Sequence, residues 1–526
     1  MAKGWVGVKG VAIAAIAVGL VLRFSNLDRK VYWHDEVYTS LRVAGYIGPA
    51  VEDAVLDRPD LAPADLLRYQ QMPPSPSLSA CWDALANHPE HPPLYYLAAH
   101  GWGRIFGASV GGYRAIAAIF GAIALAAMFW LGRQLFPLHP PVAWLATALM
   151  AVSPVQIIYS QEAREYSLWA VGLLLAHGAL ARAVRLNQPL AWLAYGLALG
   201  LSWYGSLMTG LLGLSHLVFM ALTQRQRRPW MGFVLAQGLG IGLFTPWIWT
   251  IVRRWDRLKE VTAWTDDPQS LDYLAKLWGL HYSATVVDFN LPIDHLFTVV
   301  GPALVLGLVT VSLVQIGRHY PRSTAVFLGC GLLLPPLVLI CGDIVRTGQI
   351  STNTRYFFPS LLLVPLAIAP LLNAGLAAAS QRSRAVGAAL LALLLTLGIA
   401  SGFANNRAFT WWNKSLSYPN LAIANYLNEQ NASVVIFGES GIALGEAISL
   451  SHYLNPETAL WLLPERTLPP VTTLQAVAQD QPRLFLFEPP STMLDAVPPG
   501  WQIAPTADVN GFAPNDLVRL IPPQGS

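Results

Sequence analysis

Charged side chains are scarce in this sequence. Only 12% of the 526 residues are Asp, Glu, Lys or Arg, about half the share in an ordinary soluble domain, while 54% are apolar. The net charge of +3 is too small to indicate a nucleic-acid partner. The three cysteines form no recognisable disulfide framework, and no metal-ligand spacing is visible. These shortages point away from a secreted disulfide scaffold and from nucleic-acid binding.

What the sequence has instead is long stretches without any charge. Most of them match the roughly 20 residues that cross a bilayer core, and the longest could form a hairpin of two spans. The stretches are 115–132, 134–161, 166–181, 186–224, 229–252, 295–317, 323–342, 356–381 and 385–406. We therefore predict a multi-pass α-helical protein embedded in membrane lipids. Residues 5–27 are interpreted as an uncleaved first span, with Arg23 as an anchor at its far end.

The segment 91–103 decides on which side of the membrane each later loop lies. It is located between Glu90 and Arg104 and is short for a span. If this segment is an interfacial helix, the basic short loops fall on the side of the N-terminus. That is the cytoplasmic side by the positive-inside rule. These loops carry Arg133, Arg182, Arg185, Arg225, Arg227, Arg228, Arg318, Arg322, Arg382 and Arg384, on the same side as Lys3 and Lys9.

The resulting topology has about eleven spans, with the N-terminus inside and the C-terminus outside. They are expected near 8–27, 111–132, 142–159, 166–182, 190–205, 206–222, 230–252, 295–316, 323–342, 357–376 and 385–402. Residues 1–402 form the predicted transmembrane domain, whose first outside loop, 28–110, carries short interfacial helices such as 60–71. Residues 403–526 form a predicted outside domain. Its apolar runs 434–437, 460–463, 484–487 and 517–521 alternate with helical patterns at 419–430 and 442–453, which indicates a small α/β fold.

An acidic pair, Asp35 and Glu36, follows the first span directly. Carboxylates beside a bilayer are costly unless they react, bind a cation or stay hydrated. A hydrated loop start would explain an isolated pair. However, other polar groups occur on the same predicted face: Glu90 and His91 before the interfacial helix, Glu162 to Tyr166 in the second outside turn, and Thr354 to Tyr356 before a late span. Carboxylates, a histidine and two arginines are what a site needs to hold a phosphate and activate a hydroxyl or an amine.

The ordered set of these segments resembles the GT-C glycosyltransferases that use polyprenyl-phosphate sugars, the broad family of protein O-mannosyltransferases and lipid A aminoarabinose transferases. The matching elements are Asp35-Glu36 after the first span, His91-Pro92-Pro93-Leu94-Tyr95-Tyr96, the segment 159–167 with Glu162 and Arg164, and Arg355-Tyr356-Phe357-Phe358-Pro359. The resemblance covers residues 20–190 best, 353–376 less well, and the tail only in architecture.

The resemblance implies a GT-C fold and transfer of a sugar, with inversion, from a lipid monophosphate on the extracytoplasmic side of the plasma (inner) membrane. Asp35 resembles the general base, and Glu36 would orient or bind the acceptor or the base. His91 would face the donor phosphate with Glu90 beside it, although a lysine often stands in its place. Arg164 and Arg355, with Glu162 and Tyr356 alongside them, are the remaining substrate-binding candidates. No metal is required, although a divalent cation on Glu36, Glu90 or Glu162 is compatible with the sequence.

Several alternatives stay open at this point. A transporter or flippase of a lipid-linked sugar would use similar phosphate ligands, but it should place charges along a path through the membrane. A scaffold would account for the tail but not for the outer-face set. Trp278, His281 and Tyr282, in the outside loop 253–294, could stack on sugars or lie at the membrane interface. The acceptor could be a protein, a glycan or a lipid. The enzyme hypothesis requires Asp35 to share a pocket with Arg164 and Arg355.

Overall fold

The computed structural model describes residues 2–438, 441–464, 467–481, 483–506 and 517–523. The chain divides into two compact units. The first comprises residues 1–27, 85–95 and 114–407, and the second comprises residues 28–84, 96–113 and 408–526. Part of the predicted first loop therefore groups with the tail. The predicted domain boundary between residues 402 and 403 stays a prediction.

The described residues contain seven helices that are long and apolar enough to cross a membrane, or up to nine if each of two bent helix pairs is one span. The seven lie within Ala2–Phe24, Val110–Leu135, Tyr166–Leu186, Arg227–Arg253, Phe297–His319, Arg322–Arg346 and Gln381–Arg407. The bent pairs are Pro140–Val152 with Pro154–Ser160, and Thr354–Leu361 with Val364–Leu376; Pro189–Trp203 and Thr209–Thr223 are shorter apolar helices. Each predicted span coincides with one of these elements. The predicted membrane class is confirmed, and the exact number of spans stays a prediction.

A buried arginine stabilises the break in the first bent pair, where the chain bends by 61° between the two helices. Pro154 offers no N–H to the carbonyl of Met150, which accepts the N–H of Ser153 (3.3 Å) instead. The N–H of Val155 donates to Ala284 instead of Ala151. The guanidinium of Arg23 donates to both carbonyls, those of Met150 and Ala151. Arg23, which the sequence predicted as an anchor at the far end of the first span, is fully buried. Its charge instead satisfies backbone groups that a bilayer could not.

Shorter helices occupy the predicted outside loops. In the first loop they are His34–Ala44, Gly48–Val55, Pro63–Leu67, Leu78–Ala86 and Leu94–Phe106, with a 3-10 turn at Arg68–Gln70. The loop 253–294 contains Trp255–Thr262, the 3-10 helix Ala263–Asp266 and Leu271–Ser283. Two further 3-10 helices, Ile350–Thr352 and Thr354–Phe357, precede the late helix Phe358–Leu361. The predicted helix at 91–103 is therefore present, shifted by three residues.

The second unit contains a five-stranded sheet with strand order β2-β1-β3-β5-β4. The strands are β1 (Val434–Phe437), β2 (Ala459–Leu462), β3 (Leu484–Phe487), β4 (Gln502–Pro505) and β5 (Leu517–Ile521). The first three are parallel, and β5 runs antiparallel to both β3 and β4. Helices Ala443–Ser451 and Val471–Asp480 make the crossovers that parallel strands need. The predicted α/β character of the tail is confirmed. The remaining helices of the tail are Asn420–Glu429, Ser491–Asp495 and the 3-10 helix Trp412–Ser417.

The two edges of this sheet differ. The sequence prediction missed β4, whose residues are mostly exposed and which ends in a proline, a residue confined to edge strands. At the opposite edge, the N–H of Leu460 in β2 donates to Leu61 over 2.8 Å, and the N–H of Asp57 donates to Leu462 over 2.8 Å. A segment of the first loop thus covers the edge of β2 with main-chain hydrogen bonds.

Candidate active site

A polar turn separates the short helix Pro154–Ser160 from the long helix Tyr166–Leu186. Gln161 fixes this turn, because its side-chain amide donates to the carbonyls of Leu22 (2.7 Å) and Ser25 (2.9 Å), at the end of the first helix. Glu162, Arg164 and Glu165 follow, and all three are buried. Glu165 immediately precedes the long helix, where its negative charge is favoured by the helix dipole.

Arg164, Glu165, His91 and Glu90 form a continuous charged cluster in the first unit. The Nε and Nη2 atoms of Arg164 lie 3.4 and 3.5 Å from the two carboxylate oxygens of Glu165. His91 contacts a carboxylate with each ring nitrogen: its Nδ1 is 3.2 Å from Glu165 and its Nε2 is 3.4 Å from Glu90. Glu90 also accepts a contact from His88 at 3.3 Å. Residues from two distant segments therefore share one polar environment.

The charges in this cluster shift one another's pKa values. Burial lowers the pKa of the His91 imidazole and the charge of Arg164 lowers it further, while Glu90 and Glu165 act in the opposite direction. Burial alone would raise the pKa of Glu165, but Arg164 and the contacts with His91 outweigh it and hold the pKa at about 2. Near pH 7 the cluster therefore contains an ionised Glu165 and a largely neutral His91.

Arg355 reaches the same place from a segment far away in the sequence. Its guanidinium carbon lies 5.4 Å from the centre of the Tyr166 ring, and that of Arg164 lies 5.6 Å from the same centre. Nη2 of Arg164 also lies 3.3 Å from the Tyr166 hydroxyl. The ring of Tyr356 is a second neighbour of Arg355, at 5.6 Å. Two cations held near one aromatic ring form a suitable environment for an anionic group.

The turn that carries Arg355 is held by a second set of side chains, of which only His281 and Thr354 were named from the sequence. Nε2 of His281 donates to the carbonyl of Ser351 (3.0 Å), so its Nδ1 is free to accept from the hydroxyl of Thr354 (2.8 Å). Burial lowers the pKa of His281 to about 4, which keeps this ring neutral. The carboxylate of Asp343 accepts the N–H groups of Ile350 (3.0 Å) and Ser351 (2.6 Å). His281 therefore packs against the Arg355 turn.

Asp35 and Glu36 lie in the second unit, in the first turn of helix His34–Ala44. Asp35 is partly exposed, while Glu36 is fully buried and its carboxylate lies 3.0 Å from the ammonium of Lys414. Lys414 is 1% exposed and also lies 5.3 Å from the centre of the Trp33 ring. The sequence prediction included neither this lysine nor the pairing.

The buried carboxylate of Glu446 contacts His34, the residue on the other side of Asp35. Nδ1 of His34 lies 3.2 Å from Glu446, which also accepts from the Ser417 hydroxyl (2.9 Å) and the Asn420 amide (2.7 Å). The N–H of His34 donates to Ser417 over 3.0 Å. Only residue-level contacts could reveal Glu446, because no motif in the tail marks it.

The structure therefore links Glu90 and His91 to Arg164 through Glu165. Arg164 and Arg355 share Tyr166 as a neighbour, and Tyr356 lies beside Arg355. Glu162 lies in the same turn, and its carbonyl accepts the N–H of Arg164 over 2.7 Å. Among the residues that the structure describes, no group of three or more His, Cys, Asp or Glu side chains is arranged to hold a metal ion. The catalytic and substrate-binding roles of all these residues stay predictions.

Comparison with known proteins gives a family match over part of the chain and a similar fold over nearly all of it. The model of the dolichyl-phosphate-mannose-protein mannosyltransferase family matches residues 90–249, the part of the chain that contains His91 and Arg164. None of the curated proteins matches the chain.

The fold is similar to two solved membrane enzymes. ArnT from Cupriavidus metallidurans in the apo state is 13% identical with a TM-score of 0.55, over 99% of this chain and 98% of that chain. The same protein bound to undecaprenyl phosphate gives a TM-score of 0.52 at 13% identity over the same shares. The archaeal oligosaccharyltransferase AglB from Archaeoglobus fulgidus, in complex with an inhibitory peptide and a dolichol-phosphate, is 12% identical with a TM-score of 0.50, over 91% of this chain and 69% of that chain. The family match over residues 90–249 and the similar fold agree with the resemblance predicted from the sequence, which is to the integral membrane glycosyltransferases of the GT-C type.

Proposed function

We propose that this enzyme transfers a sugar from a polyprenyl monophosphate to the hydroxyl or amine of an acceptor, with inversion at the anomeric carbon. The reaction takes place on the extracytoplasmic side of the plasma (inner) membrane, where the tail also lies. The solved relatives support the donor class, since ArnT was crystallised with undecaprenyl phosphate and AglB with a dolichol-phosphate. The acceptor is a lipid, a glycan or a protein.

The observation that carries the proposal is the meeting of Arg164 and Arg355 at the ring of Tyr166. A sugar phosphate brings its own leaving group, so the enzyme has mainly to stabilise the charge that develops on the phosphate oxygens. Arginine suits this task because it is always charged and donates hydrogen bonds in pairs. His91 and Glu90 border the same place, and His91 adds a positive charge once it takes up a proton.

The acceptor needs a base on the side of the sugar opposite the phosphate. Asp35 is the proposed base, because an aspartate of ordinary pKa, about 3.9, is ionised at neutral pH and accepts a proton as the new bond forms. The acceptor oxygen or nitrogen attacks the anomeric carbon. The bond from that carbon to the phosphate oxygen breaks, and the lipid phosphate leaves with the electron pair. Glu36, Glu162 and Tyr356 are proposed to orient the substrates.

A release assay tests the proposal. Purified protein with a radiolabelled polyprenyl-phosphate sugar should release free lipid phosphate when acceptor is added, and Asp35→Asn should abolish the release while the protein remains folded. Asp60→Asn is the matched control, because it removes the same charge from an exposed position in the same unit. A fully active Asp35→Asn variant would remove the assigned base. Translocation of the lipid without cleavage would favour a flippase instead.

A further inference from the structure

The C-terminal segment contacts both neighbours of Asp35. His34, on one side, pairs with Glu446 in helix Ala443–Ser451, and Glu36, on the other, pairs with Lys414 in the 3-10 helix Trp412–Ser417. All of these residues belong to the second unit. The two carboxylates and the ammonium group are almost completely buried.

Helix geometry explains why these contacts bear on the residue between them. Successive side chains of an α-helix point about 100° apart, so residues 34, 35 and 36 leave the helix in three different directions. Two of these directions end in buried partners from the tail. Asp35 takes the third and stays partly exposed. With the residues on both sides held, the helix has little freedom to rotate or to shift along its axis, and the direction of the Asp35 side chain is fixed.

Each hydrogen-bonding role around Glu446 is defined. The Asn420 amide can only donate to this carboxylate. Ser417 accepts the N–H of His34 and keeps its own hydroxyl proton for Glu446. His34 must then present Nδ1–H to the carboxylate, which fixes the tautomer and orientation of the ring. Gly445 allows this approach, since a Cβ at that position would collide with the His34 ring.

We propose that Lys414 and Glu446 are positioning residues for Asp35, so that the C-terminal segment completes the catalytic apparatus by fixing its base. The inference rests on the proposed function, in which Asp35 takes the proton of the acceptor. It assigns a task to the tail: the tail supplies the two charges that keep the base aimed at the acceptor.

The main test compares catalysis with binding. Lys414→Met and Glu446→Gln should each lower kcat about 10- to 100-fold, the loss that follows from misplacing a reacting group by about 1 Å. The KM for the lipid-phosphate donor should stay within about twofold of the wild-type value, because the donor ligands are elsewhere. Lys414→Arg should restore most of kcat, since it keeps the charge. Should Lys414→Met fail to fold, Glu446→Gln carries the test, because the amide retains the size of the side chain.

A double-mutant cycle with Asp35 distinguishes an effect of Glu446 on the orientation of Asp35 from an effect on stability alone. In an Asp35→Glu background the base is already displaced by one methylene, so Glu446→Gln should lower the remaining rate by less than about threefold. Thr506→Val is the matched control: it breaks a buried hydrogen bond to Leu517 (2.8 Å), which lies away from helix His34–Ala44, and should leave kcat unchanged.

Two results would overturn the inference. One is an equal factor of loss in the wild-type and Asp35→Glu backgrounds. The other is a lowered thermal midpoint with kcat intact. A fully active Asp35→Asn variant is a different outcome, because it would refute the proposed base itself, whatever the effect of Lys414 and Glu446.

Discussion

Arg164 and Arg355 meet at Tyr166, so replacing its ring offers a direct test of the proposed phosphate site. Tyr166→Leu removes two cation–π contacts, at 5.4 and 5.6 Å from the ring centre. Each is worth about 1 kcal/mol in a partly buried site, so their joint loss of about 2 kcal/mol corresponds to ~30-fold weaker binding of the donor. Tyr166→Phe keeps both ring contacts and loses only the 3.3 Å contact between its hydroxyl and Arg164. That variant should weaken binding less than about tenfold.

The measurement is the equilibrium binding of a radiolabelled polyprenyl-phosphate sugar in detergent or nanodiscs, with the KM for the donor as a second readout. Tyr166 also packs against Tyr159 and Phe358, with ring centres 5.3 and 6.4 Å away, so the thermal midpoint must be recorded for both variants. A Leu variant that binds the donor as well as the Phe variant does would refute the assignment of this ring and its two arginines to the donor phosphate.

Two further predictions concern the pH dependence of donor binding and the buried arginine of the first helix. Burial and Arg164 lower the pKa of His91, so its charge is gained only below its ordinary value of about 6.5. We therefore expect the KM for the donor to stay level between pH 8 and about 6.5 and to fall only at lower pH, and the profile of His91→Lys to be flatter. Parallel profiles would contradict a phosphate contact. Arg23→Met removes the guanidinium that donates to the carbonyls of Met150 and Ala151 at the helix break. Because Met150 keeps the N–H of Ser153, the loss at Ala151 should dominate and cost about 1–3 kcal/mol of stability. A thermal midpoint in detergent equal to that of the wild type would contradict this reasoning, and Arg23→Lys should lie between the two.

Hydrophobic length and local pattern predicted the elements of the fold well. Charge-free stretches fell on helices because the length that crosses a bilayer is fixed by its thickness. Four buried strands were predicted from their apolar runs, whereas β4 was missed because it is mostly exposed and ends in Pro505. The proline at position 154 is a local sequence signal for the bend. The contact with Arg23 has no such signal, because Arg23 belongs to a helix more than a hundred residues earlier.

The candidate site was predictable where its residues sit in ordered motifs. Glu90, His91, Arg164 and Arg355 were all named from the sequence. The structure places both arginines at the ring of Tyr166 and links His91 and Glu90 to Arg164. Lys414 and Glu446 were not predicted, because each is a lone charged residue in a tail without motifs. Their partners lie nearly four hundred residues away in the sequence. Pairing over such a distance is decided by tertiary packing, which no local pattern encodes.

The contact of Arg23 with the helix break has a consequence for synthesis of the chain. When the first helix emerges from the ribosome, its Arg23 has only the carbonyl of Gly19 in the same helix as a partner. The carbonyls of Met150 and Ala151 belong to a segment made about 130 residues later. Until then, the arginine has to extend its head group towards water at the bilayer surface. The first helix can therefore settle at its final depth only after Pro154 has been translated. A nascent chain stopped before that residue should leave position 23 accessible to water-soluble reagents.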